Sequence, residues 1–378
     1  DTGVACENYG EFTRIPDLTG TRCVAGWNLV KNNAHANDDQ GHGTHVAGTI
    51  AQTTHNGIGA AGVAYCATIM PVKVLDAQGR GTLANVAEGI RWAADHGAQV
   101  INLSLGGGGR SKVMAEAVAY ARRHGTTVVC AAGNNGRYVE SPANEPGAVA
   151  VSAIDSGDQI AFFSSRGPEV DLAAPGVGIL QQTICDHGRN RCEQFASWSG
   201  TSMAAPHVAG VAALVYSLGV NDPDAVEAIL KSHASRPAHG GSQAELYGAG
   251  IVSAENITQG VPVERGVGRL GTLVFLSIAL AWWIKSKKGE LSWGWILPAY
   301  FTAVGLFFLP RFVPHMTPGV DLLMRPLVDW DGILLGANWH RWLAFANAGV
   351  VMAFVGLGFG SKSLRSPIGG VALGVSAY

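Results

Sequence analysis

The chain has 378 residues, with 26 Lys and Arg against 28 Asp and Glu and only 14% charged residues in all. A net charge of −2 excludes a basic nucleic-acid-binding surface, so no nucleic acid is expected among its partners. The positive mean hydropathy of +0.18 is unusual for a wholly water-exposed enzyme and has a local cause: up to about residue 260 the sequence is rich in Gly and Ala, and beyond it apolar, Trp-containing stretches dominate.

The first part alternates strand-like and helix-like segments. Residues 68–75 predict a strand, and residues 82–96 a helix capped by Thr82 and stopped by Gly97. A strand over 99–105, a helix over 111–124 followed by Gly125, and strands over 126–131 and 148–154 come next. A small-residue turn then delivers Ser202 at the start of an apolar helical stretch. Alternation at this spacing means βαβ units, and so an α/β fold with a doubly wound, mostly parallel sheet covered on both faces. Ligands of such sheets bind beyond the carboxyl ends of the strands, and Asp1, Ser104 and Asn134 fall at or just after strand ends. No apolar strand precedes Asp1, and the run from Ile368 to Tyr378 stops while still apolar, so the sequence is expected to be a fragment of a longer product.

The globular part is expected to cover 1–257, with a linker over 258–269 containing Pro262. An α-helical transmembrane region is expected over 270–378, with spans at 270–284, 291–309 and 339–360 and the start of a fourth at 368. Trp282, Trp283, Trp293, Trp295, Trp339 and Trp342 lie near the ends of these runs, as interfacial aromatic belts do. Lys285, Lys287 and Lys288 follow the first span, and Lys362 and Arg365 follow the third. If the spans alternate, both clusters fall on one side, which is then cytoplasmic. The expected location is therefore the membrane, with lipid as a partner and the 1–257 domain extracytoplasmic.

Six cysteines are present. Cys185 and Cys192 flank one short polar loop, Cys6 and Cys23 flank another, and either pair suits a surface disulfide in an oxidising compartment. Spacing alone leaves the connectivity open. Cys66 and Cys130 sit in apolar surroundings and read as buried thiols.

Three motifs carry chemistry: Asp1-Thr2-Gly3, then Gly41-His42-Gly43-Thr44-His45, then Gly200-Thr201-Ser202-Met203-Ala204-Ala205-Pro206-His207. A serine hydroxyl is a poor nucleophile at neutral pH and needs a base, which in turn needs a group to fix its tautomer. Taken singly, Asp-Thr-Gly reads as a turn, a His before Gly as a surface residue and Gly-Thr-Ser as a helix cap. Taken together, the order Asp, His, Ser is one of those known for acyl-transfer triads.

These motifs and their flanks resemble those of the subtilisin-like serine peptidases, the subtilase family, over roughly residues 1–257. The resemblance implies a subtilisin-like fold and a serine-type endopeptidase that acts through an acyl-enzyme on protein or peptide substrates. It gives Ser202 the role of nucleophile, His42 that of general base and then acid, and Asp1 that of the residue holding His42. His45 and His207 are then structural. Ala131-Ala132-Gly133-Asn134 resembles the oxyanion-hole segment, with the Asn134 side chain and the Ser202 N–H as donors. Gly79-Arg80-Gly81 and Ser104-Leu105-Gly106-Gly107 resemble the two edges that clamp an extended substrate. Arg80 beside the cleft is a candidate to favour an acidic substrate residue, and the loop over Ser141 to Pro146 is short for the family, which opens the pocket. Asp17 and Asn56 match segments that supply calcium ligands, so a structural calcium is implied, while the chemistry itself needs no cofactor. A secretion signal and the protein's own propeptide are expected upstream. The alternative is a membrane sensor or assembly protein that uses the same fold mainly for binding.

Overall fold

The computed structural model describes residues 1–184, 195–237, 243–286 and 371. The chain divides into two compact units, Asp1–Thr258 and Gln259–Tyr378. After a 3-10 turn at Pro16–Leu18, strand β1 (Trp27–Asn28) runs parallel to β2 (Val72–Lys73), with helix α1 (His42–Ala51) between them in sequence. Helix α2 (Leu83–Asp95), strand β3 (Val100–Leu103), helix α3 (Lys112–Arg123) and strands β4 (Thr127–Ala131), β5 (Ala148–Ile154) and β6 (Val170–Pro175) follow. A hairpin of β7 (Ile179–Gln182) and β8 (Phe195–Trp198) precedes helices α4 (Thr201–Ser217), α5 (Pro223–Ser232), α6 (Ala244–Tyr247) and α7 (Ala254–Ser286).

Strands β3, β4, β5 and β6 form a parallel sheet in that spatial order. β4 and β5 are buried at every residue, and their sequences are accordingly continuous apolar runs rather than alternating ones. Val128, Cys130, Ala148 and Ala150 pack with Val86 and Ile90 of α2 and Met114 and Val118 of α3. The intervening Val129, Val149 and Val151 are equally buried. Strand alternation puts them on the other face, where α4 crosses β3 to β6. α4 is therefore apolar nearly all round; its Val208 and Val215 are fully buried, each contributing about 1.5–3 kcal/mol of transfer free energy.

Local signals agree with these elements. Thr82 caps α2 by accepting from the Asn85 N–H at 3.1 Å, and Gly97 leaves it at φ +80°. The expected strand over 68–75 narrows to β2, preceded by a lone bridge between Cys23 and Ile69. Cys6 and Cys23 are joined, with S–S 2.02 Å and Cα–Cα 6.2 Å. Cys130 is buried, and burial pushes its thiol well up. Cys66 corrects the expectation of a buried thiol: it is exposed, because the apolar run that holds it is a turn with Tyr65 also at the surface. Cys185 and Cys192 lie outside the described residues.

The expectation of a span at 270–284 is also corrected. These residues lie within α7, and among the described residues no helix is long and apolar enough to cross a membrane. The apolar part of α7 falls short of the about 20 residues that a hydrocarbon core needs, and its first half carries Glu255 and Glu264. The runs over 291–309 and 339–360 lie outside the described residues, as does the run from 368 apart from residue 371.

Candidate active site

His42 is the first residue of α1, and its Nδ1 lies 2.9 Å from Asp1 Oδ1. The arrangement is built from several short segments. The Asp1 carbonyl accepts from the Val74 and Leu75 N–H groups at 2.9 and 3.0 Å, which ties the first residue to the end of β2. Thr2 Oγ1 accepts from the Gly43 N–H at 2.9 Å and donates to Asp38 Oδ1 at 2.8 Å. Asp38 is buried and also accepts from the Gln40 and Gly41 N–H groups and from both the N–H and hydroxyl of Thr44. One carboxylate thus closes the loop before α1, caps the helix and holds the Asp1 segment against it. Gly43 is required by close approach, since a Cβ there would sit 2.1 Å from the Gly3 carbonyl oxygen and 3.2 Å from Asp1 Oδ1.

Ser202 is the second residue of α4. Pro206, four residues on, has no N–H to donate to the Ser202 carbonyl. Ser104 Oγ takes that place, donating to the Ser202 carbonyl at 2.7 Å. Ser202 Oγ in turn donates to the Ser104 carbonyl at 3.3 Å rather than to His42, although both side chains line one cleft of about 790 Å³. Such bonds are commonly loose without substrate and tighten when it arrives. Asn134 follows β4, and its Oδ1 accepts from the Thr201 N–H at 2.9 Å and the Thr201 hydroxyl at 3.1 Å. This fixes the amide and leaves its NH2 as a donor on the cleft wall, one residue from Ser202.

The other two histidines are held elsewhere. His45 is buried, with Nε2 3.1 Å from the Ile179 carbonyl and 3.0 Å from the Ala196 carbonyl, so it ties α1 to both strands of the β7–β8 hairpin. His207 Nδ1 turns back to the Met203 carbonyl at 2.9 Å. Trp198 of β8 stacks with the His45 ring at 4.5 Å and faces the His42 ring at 6.3 Å.

The segments 79–81 and 104–107 lie on the cleft, as does Asn134. Asp76 shapes the first segment by accepting from the Gln78 and Arg80 N–H groups through Oδ1, each at 2.9 Å, and Arg80 is exposed. In the second segment the Gly107 N–H donates to the Ser141 carbonyl at 3.0 Å. Asp38, Thr201 and Trp198 are contributors that sequence reasoning missed. Only Asp38 left a local signal: an Asp four residues before His42, at the start of a helix.

Asp17 and Asn56 are brought together. Asp17 is fully buried, and its carboxylate accepts from the side-chain amides of Gln52 and Asn56. Gln52 Oε1 and Gln181 Oε1 are buried without hydrogen-bond partners among the described residues. A carboxylate with amide oxygens beside it suits a hard cation such as calcium, provided the amides turn their oxygens toward it. Among the described residues no group of three or more His, Cys, Asp or Glu is placed to hold a metal.

Burial sets the electrostatics of the pair. It pushes His42 down from 6.5 to about 4, with Asp38 pulling the other way. At neutral pH the imidazole is uncharged and able to accept a proton.

A family model described as "Subtilase family" matches residues 2–250. The chain is 42% identical over 260 residues to a thermostable alkaline protease of Halalkalibacterium halodurans, covering 68% of this chain and 66% of that one. It is 44% identical over 230 residues to a thermophilic serine proteinase of Bacillus sp. strain AK1, covering 61% and 54%. Less than two thirds of each of these relatives is spanned. Among solved structures, a protease of Pseudoalteromonas arctica superposes with a TM-score of 0.62 at 34% identity, covering 68% of this chain and 87% of that one.

Proposed function

The chain belongs to the subtilase family, and from that premise we propose that it is a serine endopeptidase in which Ser202, His42 and Asp1 form the triad. The observation that carries this reading is the 2.9 Å Asp1–His42 bond in the same cleft as Ser202, with the Asn134 amide locked beside the serine. Asp1 accepts from His42 Nδ1–H, which leaves Nε2 free to take the Ser202 hydroxyl proton. Ser202 Oγ attacks the scissile carbonyl, and the resulting oxyanion is met by Asn134 Nδ2–H and the Ser202 backbone N–H. His42 then passes its proton to the leaving amine, giving the acyl-enzyme. Water, deprotonated by His42, attacks the acyl carbon, and the proton returns to Ser202 as the acid departs.

Substrate is a protein or peptide in extended form, laid between residues 79–81 and 104–107, whose backbone groups supply the clamp. Arg80 stands at the rim of this cleft. Asp17, Gln52 and Asn56 are the residues that would hold a calcium ion, which would brace the loop after α1 and take no part in the chemistry. Anchoring in the membrane rests on the apolar runs over 291–309 and 339–360, with the peptidase unit extracytoplasmic and a propeptide upstream. The exposed Phe275, Ile278 and Trp282, spaced along one face of α7, suit the interfacial region next to those runs. The test is labelling of intact cells that express the full-length parent with a membrane-impermeant fluorophosphonate. Labelling of wild type but not of Ser202→Ala is expected. Labelling only after lysis would overturn the extracytoplasmic placement, and none in either case would overturn the peptidase.

Two quantitative outcomes follow from the geometry. Asn134→Leu removes the side-chain donor while keeping the volume, and kcat on a peptide substrate is expected to fall by on the order of 10²–10³ with KM little changed. That magnitude is the one established for subtilisin, a member of the same family. A fall in kcat of less than about threefold would remove Asn134 from the oxyanion site. The pH profile of kcat/KM reports the free base. Because burial lowers His42, its acid limb is expected below 6.5 and above about 4. A limb at or above 6.5 would contradict a neutral imidazole held low by its surroundings.

A further inference from the structure

We infer that Glu140 makes this cleft selective for a basic side chain, Lys or Arg, at the substrate residue immediately before the scissile bond. The inference rests on the peptidase reading of Ser202. Among the described residues, three charged or ionisable side chains line the cleft: His42, Arg80 on the 79–81 edge, and Glu140. Glu140 lies between the other edge and the oxyanion segment. Its Cβ is 3.8 Å from where a Cβ on Gly106 would be, and its Oε2 is 2.6 Å from where one on Gly133 would be. A substrate whose carbonyl carbon reaches Ser202 and whose carbonyl oxygen reaches Asn134 must run its own side chain past Gly106, Gly107 and Gly133, where no side chain obstructs it. Met114 and Ala131 supply apolar wall there, and the Glu140 carboxylate is the charge it meets.

That carboxylate is held but not neutralised. Its backbone is fixed by Glu140 N–H donating to the Ala132 carbonyl at 2.9 Å. Oε1 accepts from Asn135 Nδ2 at 3.1 Å. No Lys, Arg or His forms an ion pair with it among the described residues. Ser165 Oγ, at 2.9 Å from the same Gly133 position, is buried without a hydrogen-bond partner among the described residues and adds a second polar group at this end. A half-buried carboxylate with one amide partner gains from a cation and loses when covered by an apolar side chain. Lys and Arg suit the whole path, since their methylene stems lie on apolar wall while the charged head reaches the end. Asn135 and Glu140 are five residues apart in sequence, yet Glu140 meets Gly106 only through the tertiary fold.

The experiment uses the full-length parent and four peptide p-nitroanilides identical except for Lys, Arg, Phe or Glu before the scissile bond. In wild type, kcat/KM for Lys and Arg is expected to exceed that for Phe by at least about tenfold, which is about 1.4 kcal/mol. Added salt should reduce the Lys and Arg rates and spare Phe. Glu140→Gln keeps the shape and the Asn135 contact, and should lower the Lys-to-Phe ratio by about tenfold to a hundredfold. Glu140→Lys should invert the preference toward Glu. A wild type that prefers Phe, or a Gln variant that lowers Lys and Phe alike, would overturn the inference. Fluorophosphonate labelling of Ser202 separates the two readings. A protein that labels but ignores substrate charge keeps the peptidase and loses the Glu140 role, whereas one that neither labels nor cleaves any of the four loses both.

Discussion

Replacing Ser202 by Ala is expected to lower kcat on a peptide substrate by about 10⁶-fold and to abolish fluorophosphonate labelling, with the fold intact. The size is that measured for subtilisin's own triad, a member of this family. Among the described residues no other nucleophile stands in the same place. Ser104 lines the cleft, but its hydroxyl is committed to the Ser202 carbonyl at 2.7 Å and accepts from Asn102 Nδ2 at 3.0 Å. The fold should tolerate the change, since the hydroxyl makes one long bond, to the Ser104 carbonyl at 3.3 Å. His42→Ala should cost about as much, and the double variant no more, because the two groups act on one proton and their effects do not add. Residual turnover above water would come from Asn134 and substrate positioning alone. Active-site titration alongside kcat checks the result, and a Ser202→Ala protein that still labels would remove Ser202 from the mechanism.

Asp38→Ala is expected to be the most damaging single change to stability near the site, costing about 3–5 kcal/mol. Asp38 is 1% exposed and accepts from Thr2, Gln40, Gly41 and twice from Thr44. Removing it strands those donors inside the protein. For a unit of this size the midpoint of thermal unfolding should fall by about 6–20 °C, best measured in the Ser202→Ala background to prevent self-digestion. In the active background kcat/KM should also fall, by about tenfold to a hundredfold, because Thr2 is the link through which Asp38 holds Asp1 against His42. Asp38→Asn keeps one acceptor oxygen and should lie between. A midpoint shift under about 2 °C would mean that the donors find water and that the clamp is not structural.

Much of this site was readable from residues alone because its motifs are local. Asp-Thr-Gly, His-Gly and Gly-Thr-Ser each carry a glycine or a small residue where backbones come close, as Gly43 against Gly3 illustrates. β5 was read to the residue, since a fully buried parallel strand announces itself as a continuous apolar run. β6, β7 and β8 were not read: Val170–Pro175 ends in proline, and the hairpin strands carry Gln181, Gln182 and Ser197 on partly polar faces. Cys66 misled because hydropathy over a short turn carries no information about which way the turn faces. Asp38 and Glu140 act through partners brought near by folding, at Thr2 and Gly106, and no spacing rule in a single sequence encodes that.

The short interval between His42 and His45 sets a mechanical constraint of its own. At about 100° per residue, three residues bring the second imidazole to roughly 300°, close to the azimuth of the first. Both rings therefore address Trp198, one also reaching Asp1 and the other the hairpin carbonyls. Inserting or deleting one residue in this turn would swing one imidazole by a quarter-circle and part it from its partner, whatever that residue's chemistry. The first turn of α1 thus works as a gauge whose length is fixed more strictly than its composition.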